Sequence, residues 1–421
     1  MISACLAGEN CKYNGGNNFD EKLMGLLNGH DVIAVCPEVL GGLPVPRAPG
    51  EICSGVVKNP NGTSVDAQYR HGAEKALEIA RNEKVSFAIL QPRSPSCGVG
   101  RVYDGTFSRN LVDGNGVFAS KLIENGITAV NADRIEEIEK LLNSKVVFLD
   151  IDGTIVDYAN VFPESAKEAI RIAHDNGHRI YLCTGRSKAE RCEEIIEACN
   201  ADGIICANGS YVESDGKVLC HKTIPSETTW AVIDYLHEHG MEFYEESNEQ
   251  SYASENFLAQ AGEKFASYMG REYTSQTDPK ELIGTFFPKM VYDSNVYRDD
   301  IYKISYVMNS WDDFYAIKEA FPMLQHGSWG GTNKVPSFGD VVVAGVSKAT
   351  GVEIILNSLG RDSSDAVAFG DSDPDLPMLR YCGFSVAMGN ASKNVKETAD
   401  YITGDVNSDG LYKAFSFLKL I

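Results

Sequence analysis

The sequence predicts an α/β protein of two domains, because short apolar runs alternate with helical patterns over 421 residues. In the first third, strands are predicted at the chain start before Cys5 and at 32–35, 87–90 and 127–130. Ala73, Ala76, Leu77 and Ala80 repeat at helical spacing between them. This order of elements is typical of βαβ units and parallel sheets.

The composition limits the functions that we expect. A hydrophobic fraction of 43% and a charged fraction of 23% are ordinary for a folded, soluble protein. The sequence has no apolar run of 18 residues and no basic, apolar leader, which predicts a cytoplasmic protein without membrane attachment. A net charge of −21 argues against binding to nucleic-acid polymers, so we expect small-molecule substrates.

A charged segment at 133–145 precedes the apolar run at 146–149 and marks a domain boundary near residue 143. The predicted domains are 1–142 and a second α/β unit made of 143–209 and 336–421. Residues 210–335 are rich in Tyr, Phe, Glu and Ser and are predicted to form an inserted cap.

Four polar motifs in the second unit are predicted at the carboxyl ends of strands or at a helix start. They are DIDGT at 150–154, TGR at 184–186, GVSKAT at 345–350 and GDSDPD at 370–375. Open α/β sheets bind ligands at this edge, and clustered carboxylates suit a hard divalent cation. Taken alone, each motif could instead have a purely structural role, such as a turn or a solvated lysine. Their order and spacing together indicate a phosphoryl-transfer site.

These motifs resemble those of the haloacid dehalogenase superfamily, and most of all its Cof-type class IIB phosphatases. The resemblance implies a Rossmann-like parallel sheet with an inserted α+β cap. It implies that Asp150 is the nucleophile, that Asp152 is the acid and base, and that Thr184 and Lys348 hold phosphoryl oxygens. It further implies substrate contacts from Gly153, Gly185, Arg186 and Asn390, and a Mg²⁺ site at Asp150, Asp152, Asp371 and Asp375.

One residue departs from the family pattern. The family usually has Asn immediately before the last Asp of the fourth motif, and this chain has Pro374. Proline has neither an amide side chain nor a backbone N–H, so this difference predicts weaker metal binding unless Asp373 compensates.

Three cysteines in the first domain follow predicted strands. Cys5, Cys36 and Cys97 would meet at one sheet edge if these strands are parallel neighbours. Three thiolates there suit a 4Fe-4S cluster with one open iron, or a zinc ion with an open position. Unconnected buried cysteines are the alternative that spacing alone leaves, since the three residues form no CxxC pair.

The motifs around these cysteines resemble those of the thiouracil desulfurases. They are SACLAGENCKYNGG from Ser3, VCPEVLGGLPVPR from Val35 and RSPSCGVGRVYDGTFS from Arg93. The resemblance implies a 4Fe-4S cluster on Cys5, Cys36 and Cys97 that acts on thiolated pyrimidines. It places Glu38 and Ser94 in catalysis and Ser96 in substrate binding, and it leaves open which of the two serines serves as proton donor or anchor. Cys11 and Cys53 are spare candidates: Cys11, six residues after Cys5, is either a further ligand, a sulfur relay or, like Cys53, a loop thiol without a role.

The sequence therefore predicts a Mg²⁺-dependent phosphohydrolase of small phosphate esters fused to a desulfurase of thiolated pyrimidines. Two alternatives remain at this point. A phosphomutase would use the same aspartyl-phosphate chemistry, and a regulatory protein would bind a phosphate ligand or a metal without turnover, with a structural metal in the first domain.

Overall fold

The computed structural model describes residues 1–190, 192–329 and 337–421. The chain divides into two compact units, which are Met1–Ser144 with Leu359–Arg361, and Lys145–Ser358 with Asp362–Ile421. None of the helices in the described ranges combines the length and apolar character that a membrane span needs.

The first unit is built on four parallel strands, in the spatial order β2 (Ala34–Val35), β1 (Ile2–Ser3), β5 (Phe87–Leu90) and β8 (Thr128–Asn131). Its strands are β1 Ile2–Ser3, β2 Ala34–Val35, β3 Glu51–Cys53, β4 Val56–Lys58, β5 Phe87–Leu90, β6 Arg101–Tyr103, β7 Leu111–Asp113 and β8 Thr128–Asn131. Its helices are α1 Glu21–Leu26, α2 Pro37–Leu40, α3 Asp66–Asn82, α4 Val117–Glu124 and α5 Ile135–Asn143. The α/β prediction is confirmed, and the runs predicted at 32–35 and 127–130 are the strands β2 and β8.

Close packing of α2 against α3 fixes the start of α2. A Cβ atom on Gly72 of α3 would lie only 1.8 Å from the carbonyl oxygen of Pro37, so this crossing requires glycine. Ala73, Ala76, Leu77 and Ala80 are buried on α3, as their helical spacing predicts. Cys36 is the N-cap of α2 and is therefore held at the carboxyl end of β2.

The second unit contains two sheets. Its strands are β9 Val146–Leu149, β10 Arg179–Cys183, β11 Gly203–Cys206, β12 Tyr211–Ser214, β13 Lys217–His221, β14 Phe243–Glu246, β15 Ser251–Ala253, β16 Met290–Val291, β17 Lys303–Val307, β18 Leu324–Trp329, β19 Phe338–Val343, β20 Ala366–Gly370, β21 Phe384–Ala387 and β22 Tyr401–Ile402. Its helices are α6 Glu164–Asp175, α7 Cys192–Cys199, α8 Ser226–Glu238, α9 Phe257–Tyr268, α10 Pro279–Gly284, α11 Trp311–Ala320, α12 Lys348–Leu359, α13 Leu376–Tyr381, α14 Lys393–Thr398 and α15 Gly410–Phe417.

The larger sheet has the described strand order β13-β12-β11-β10-β9-β20-β21-β22. Strands from β11 to β22 in this order are parallel, and β12 and β13 form an antiparallel hairpin at one edge. All four residues of β9 are buried, as expected for a central strand covered on both faces.

A second sheet, in the described order β16-β15-β14-β17-β19-β18, forms the inserted α+β region. The predicted bounds 210–335 stay a prediction, and residue 335 lies outside the described residues. The hairpin of β12 and β13 joins the larger sheet although it follows residue 209, and β19 joins the second sheet although it follows residue 335. The sequence pattern of a strand shows how far it is buried but not which strand it pairs with. The pairings of β13, which is largely exposed, and of β19, which is almost wholly buried, are therefore visible only in the structure.

An unpaired carboxyl group lies inside this second sheet. Glu245 on β14 is fully buried, and neither of its carboxyl oxygens has a hydrogen-bond partner among the described residues. Burial raises the pKa of Glu245 to about 8, although the Arg298 guanidinium opposes this shift. The folded protein therefore keeps a proton on Glu245 in a pH range where an exposed glutamate is ionised.

We expect Glu245→Gln to remove part of the pH dependence of stability. Between pH 4.5 and 8 the unfolded state has lost the Glu245 proton that the folded state retains, so the free energy of unfolding falls as pH rises. The variant should gain on the order of 5 kcal/mol relative to wild type across this window, because about 3.5 pKa units correspond to about 1.4 kcal/mol each. Calorimetry at several pH values measures this gain, with Glu238→Gln on the exposed face of α8 as the control. A stability difference that does not change with pH would contradict the prediction.

Candidate functional sites

Three neighbouring strands place polar residues at one edge of the larger sheet. Asp150 follows β9, Thr184 follows β10 and Asp371 follows β20, and these strands lie side by side in the order β10-β9-β20. All three residues are buried. The sequence prediction that these motifs converge at one sheet edge therefore agrees with the topology.

Lys348 joins two of the buried carboxylates. Its Nζ atom donates hydrogen bonds to Asp150 Oδ1 at 2.6 Å and to Asp375 Oδ1 at 2.5 Å. Burial alone would lower the pKa of Lys348, but the Asp150 and Asp375 carboxylates raise it well above its usual value. Lys348 is also the first residue of α12, where a cation is unfavourable unless anions surround it.

Asp150, Asp371 and Asp375 form a group suited to a metal ion. Each offers one oxygen, and these oxygens lie within 4.8 Å of one another. Asp371 Oδ1 is buried and has no hydrogen-bond partner among the described residues. Burial, reinforced by the Asp375 charge, raises the pKa of Asp371 to about 7, although a hydrogen bond from the Tyr158 hydroxyl opposes this shift.

The charge of this group calls for a divalent cation. When all three carboxylates are ionised, they and the Lys348 ammonium leave two negative charges on buried side chains. Uncompensated charge is expensive to bury, and Mg²⁺ prefers oxygen ligands. The residues present therefore fit the magnesium ion that the sequence predicts.

Asp152 is held differently from the other carboxylates. Arg186 contacts both of its oxygens, from Nε at 2.9 Å and from Nη2 at 2.5 Å. Asp152 is not part of the oxygen group formed by Asp150, Asp371 and Asp375. Arg186, for which the sequence predicts a substrate contact, binds the Asp152 carboxylate in this structure. Such bidentate pairs fix orientation as well as charge. The metal role of Asp152 and the substrate role of Arg186 stay predictions.

Thr184, Asn390 and Pro374 have defined local roles. The Thr184 hydroxyl oxygen accepts a hydrogen bond from the backbone N–H of Arg186 at 3.0 Å, so its own proton is free for a ligand. Asn390 donates to the Gly153 carbonyl at 2.8 Å and thereby braces the first motif. Pro374 lies in a short 3₁₀ turn, where its missing N–H leaves no donor unpaired.

The last carboxylate is oriented without the family asparagine. Asp375 Oδ2 accepts hydrogen bonds from the backbone N–H groups of Asp371 and Ser372, both at 3.0 Å. Asp373 is engaged elsewhere, because it accepts from Ser392 Oγ at 2.7 Å and Asn394 Nδ2 at 2.9 Å. The turn therefore positions Asp375 through the backbone, and Asp373 does not replace the missing amide.

Sequence reasoning missed Tyr158, whose hydroxyl donates to Asp371, and a buried ion pair beside the second motif. Lys303 Nζ lies 3.0 Å from Glu246 Oε1 and 3.4 Å from the Gly185 carbonyl. A lysine within the apolar and aromatic run of β17 is the signal that could have identified the pair, because buried lysines need partners.

The first unit also brings its predicted residues together. Cys5, Cys36 and Cys97 follow β1, β2 and β5, which are neighbours in the sheet. All three line one cavity of about 600 Å³. Glu38, Ser94 and Cys11 line the same cavity, whereas Ser96 is fully buried and Cys53 contacts the Gly105 carbonyl at 3.2 Å.

Glu38 is fixed by an arginine in this cavity. Arg47 contacts Glu38 Oε2 from Nε at 2.9 Å and from Nη2 at 2.7 Å. Ser94 Oγ accepts from the backbone N–H groups of Ser96 and Cys97, both at 3.1 Å, and so shapes the loop that carries Cys97. The ion pair and these hydrogen bonds position Glu38 and the Cys97 loop at the wall of the cavity.

The thiols are spread more widely than one ion requires. Among the described residues, no three cysteine sulfurs lie within 4.8 Å of one another. Thiolates on one zinc ion lie about 4 Å apart, because each Zn–S bond is about 2.3 Å. Thiols that line one cavity suit an iron–sulfur cluster, which therefore stays a prediction beside the zinc alternative.

The chain matches two family descriptions. The model of the haloacid dehalogenase-like hydrolase family matches residues 147–415, and that of the 2-thiouracil desulfurase family matches residues 1–134. The chain therefore belongs to the haloacid dehalogenase-like hydrolases and carries a 2-thiouracil desulfurase-like region before the hydrolase region.

Individual relatives cover one region each. The uncharacterized protein YbbK of Bacillus subtilis is 35% identical over 148 residues, which are 33% of this chain and 98% of YbbK. The 5-amino-6-(5-phospho-D-ribitylamino)uracil phosphatase YcsE of the same organism is 26% identical over 64% of this chain and 94% of its own. The solved structure of BT4131, a subclass IIB sugar phosphatase, has a TM-score of 0.54 and 25% identity over 66% of this chain and all of BT4131.

Gly153 provides a test of the metal group. Its φ is +79°, and a Cβ atom there would lie 2.3 Å from Asp371 Oδ2 and 2.8 Å from the Tyr158 hydroxyl. We expect Gly153→Ala to displace Asp371 and weaken Mg²⁺ binding by roughly 10-fold or more. The rise in melting temperature with Mg²⁺ concentration measures this loss.

Gly216→Ala is the matched control for that experiment. Gly216 has φ +70°, and a Cβ atom there meets nothing within 4 Å. The Gly216→Ala variant therefore carries only the backbone strain of an alanine at positive φ, which is about 1 kcal/mol. Equal Mg²⁺ responses in the two variants would show that the metal does not bind beside Asp371.

Proposed function

We propose that this haloacid dehalogenase-like hydrolase is a Mg²⁺-dependent phosphohydrolase of small phosphate monoesters that works through an aspartyl-phosphate on Asp150. The arrangement of Lys348 between Asp150 and Asp375, with Asp371 in the same oxygen group, carries the proposal. When bound by Asp150, Asp371 and Asp375, Mg²⁺ would neutralise the charge that otherwise repels a phosphate dianion.

The nucleophile follows from the Lys348 contact. Asp150 Oδ1 is occupied by Lys348, so Oδ2 is the oxygen that attacks phosphorus while the bond to the ester oxygen breaks. Lys348 and the Thr184 hydroxyl stabilise the charge on the phosphoryl oxygens. Water then attacks the phosphorus of the aspartyl-phosphate, which releases phosphate and restores Asp150.

Asp152 supplies the proton transfers. As the acid it protonates the leaving alkoxide, and as the base it takes a proton from the attacking water, so the two steps restore it. The Arg186 pair holds both Asp152 oxygens in place and must loosen when the carboxyl group takes up a proton. Arg186 therefore acts as a positioning residue for Asp152.

A polar substrate suits the surroundings of the second motif. Asn208 Oδ1 is buried without a hydrogen-bond partner, and it would lie 3.3 Å from a Cβ atom on Gly185. Glu246 Oε2 is also buried and unpaired, beside the Lys303 contact to Gly185. Unpaired acceptors of this kind fit the hydroxyl groups of a sugar or polyol phosphate, and the similarity to YcsE and BT4131 supports the same class.

We further propose that the first unit holds a 4Fe-4S cluster on Cys5, Cys36 and Cys97 and converts thiolated pyrimidines to the oxygen analogues with release of sulfide. When bound, the cluster supplies an iron that accepts the substrate sulfur. Glu38 exchanges the proton that the hydrolysis requires, and Arg47 keeps its carboxyl group inside the cavity. Ser94 orders the Cys97 loop and lies on the cavity wall.

Asp150→Asn should lower Mg²⁺-dependent phosphate release from p-nitrophenyl phosphate by at least about 1,000-fold, because it removes the nucleophile. Asp373→Asn is the control in the same region of the site, since its carboxylate is bonded to Ser392 and Asn394. Undiminished turnover by the Asp150 variant would refute the mechanism. Retention of the phosphoryl group on wild-type enzyme, without free phosphate, would indicate a phosphomutase.

Cys97→Ser should lower the iron content of protein purified and reconstituted without oxygen, because a hydroxyl group is a poor ligand for a soft cluster. Cys53→Ser should leave the iron content and the brown colour unchanged, since Cys53 contacts Gly105 outside the cavity wall. A colourless wild-type protein, or one with one zinc ion per chain, would refute the cluster.

A further inference from the structure

A turn at residues 157–161 reaches two parts of the phosphohydrolase site. It follows the first motif along the chain and precedes α6. The Tyr158 hydroxyl donates a hydrogen bond to Asp371 Oδ2. Asn160 Oδ1 accepts a hydrogen bond from Arg186 Nη2 at 2.7 Å. The turn therefore contacts both the metal group and the arginine that holds the proposed acid and base.

Asp157 gives this turn a defined shape. Its Oδ1 atom accepts hydrogen bonds from the backbone N–H groups of Ala159 at 2.9 Å and Val161 at 2.8 Å. Its backbone N–H donates to the Val161 carbonyl at 3.0 Å and closes the turn. Asn160 has φ +61°, a conformation that asparagine adopts more readily than most residues do. Tyr158 and Asn160 are therefore presented by an ordered turn.

The Tyr158 contact leaves one oxygen of Asp371 available to a cation. Asp371 Oδ2 accepts the hydrogen bond from the phenol, whereas Oδ1 is buried without a hydrogen-bond partner among the described residues. A carboxylate that is bonded at one oxygen turns less freely, so its other oxygen keeps one direction. Gly153 makes room for this contact, because a Cβ atom there would lie 2.8 Å from the Tyr158 hydroxyl.

Burial contributes little to the position of Tyr158. The residue is 55% exposed, and its hydroxyl is the group that joins it to the site. Removal of the hydroxyl alone should therefore leave the fold intact while it frees Asp371 to turn.

We propose that Tyr158 is a positioning residue for the metal group, whose hydroxyl holds Asp371 so that Oδ1 is turned toward the cation. This inference rests on the proposed Mg²⁺-dependent function but adds a residue that lies outside the four motifs. Loss of a partner that orients a metal ligand commonly weakens metal binding by roughly 10- to 100-fold. The Tyr158 hydroxyl therefore tunes the affinity of the site for Mg²⁺ without touching the nucleophile.

The test measures Mg²⁺ binding to the full chain without substrate. The rise in melting temperature with Mg²⁺ concentration gives an apparent dissociation constant. Tyr158→Phe keeps the ring and removes the hydroxyl, and it should raise this constant by roughly 10-fold. Tyr315→Phe is the matched control on α11, where the tyrosine is also exposed, and it should behave like wild type.

Asn160→Gly separates the Tyr158 contact from the shape of the turn. Glycine tolerates a φ of +61°, so this variant removes the amide side chain without adding backbone strain. Its contact is with Arg186 and not with Asp371, so the Mg²⁺ dissociation constant should stay at the wild-type value.

The outcomes separate this inference from the proposed function. Equal Mg²⁺ dissociation constants in Tyr158→Phe and wild type would overturn the role of Tyr158 and leave the phosphohydrolase standing. An equal loss of affinity in Tyr158→Phe and Asn160→Gly would also overturn it, because the effect would then come from the turn as a whole. Wild-type protein that Mg²⁺ neither stabilises nor activates would overturn both proposals.

Discussion

The contact of Lys348 with Asp150 and Asp375 is the constraint on which the phosphohydrolase site depends. Buried carboxylates are tolerated only when positive charge or hydrogen bonds compensate them. One ammonium group satisfies two of the three carboxylates in part and leaves Asp371 Oδ1 without a partner among the described residues. The folded chain therefore has an arrangement of charges that suits a second cation. The carboxylates follow β9 and β20, and Lys348 stands at the start of α12, so these elements fix the site where that cation would bind.

Parallel strands explain why so much of both sites could be predicted from sequence. A short apolar run locates a strand, and the residue after it lies at the carboxyl edge where ligands bind. This rule places Asp150, Thr184 and Asp371 at the carboxyl ends of their strands, and the structure shows that those strands are neighbours. The same rule places Cys5, Cys36 and Cys97 around one cavity. The periodicity of the apolar residues likewise gives the buried face of α3, because helical spacing is a local property.

The remaining features depend on side chains that meet only in the folded state. The pairing of Arg186 with Asp152 and the bond from Tyr158 to Asp371 join residues 34 and 213 positions apart. Sheet membership is equally non-local, since β19 pairs with β17 and β18 although its sequence suits a strand of either sheet. Pro374 differs from the family pattern, and from the sequence alone this difference predicts weaker metal binding. In the folded chain Pro374 fits a turn, and backbone N–H groups in that turn orient Asp375.

Under the proposed functions, the two units would bind different metals because their ligand atoms differ in chemistry. Carboxylate oxygens at Asp150, Asp371 and Asp375 are hard donors that suit Mg²⁺ and bind soft iron–sulfur centres poorly. The cysteine thiols of the first unit are soft donors with the opposite preference, and they line one cavity. Because each donor set prefers a different metal, the two proposed chemistries would not compete for one ion.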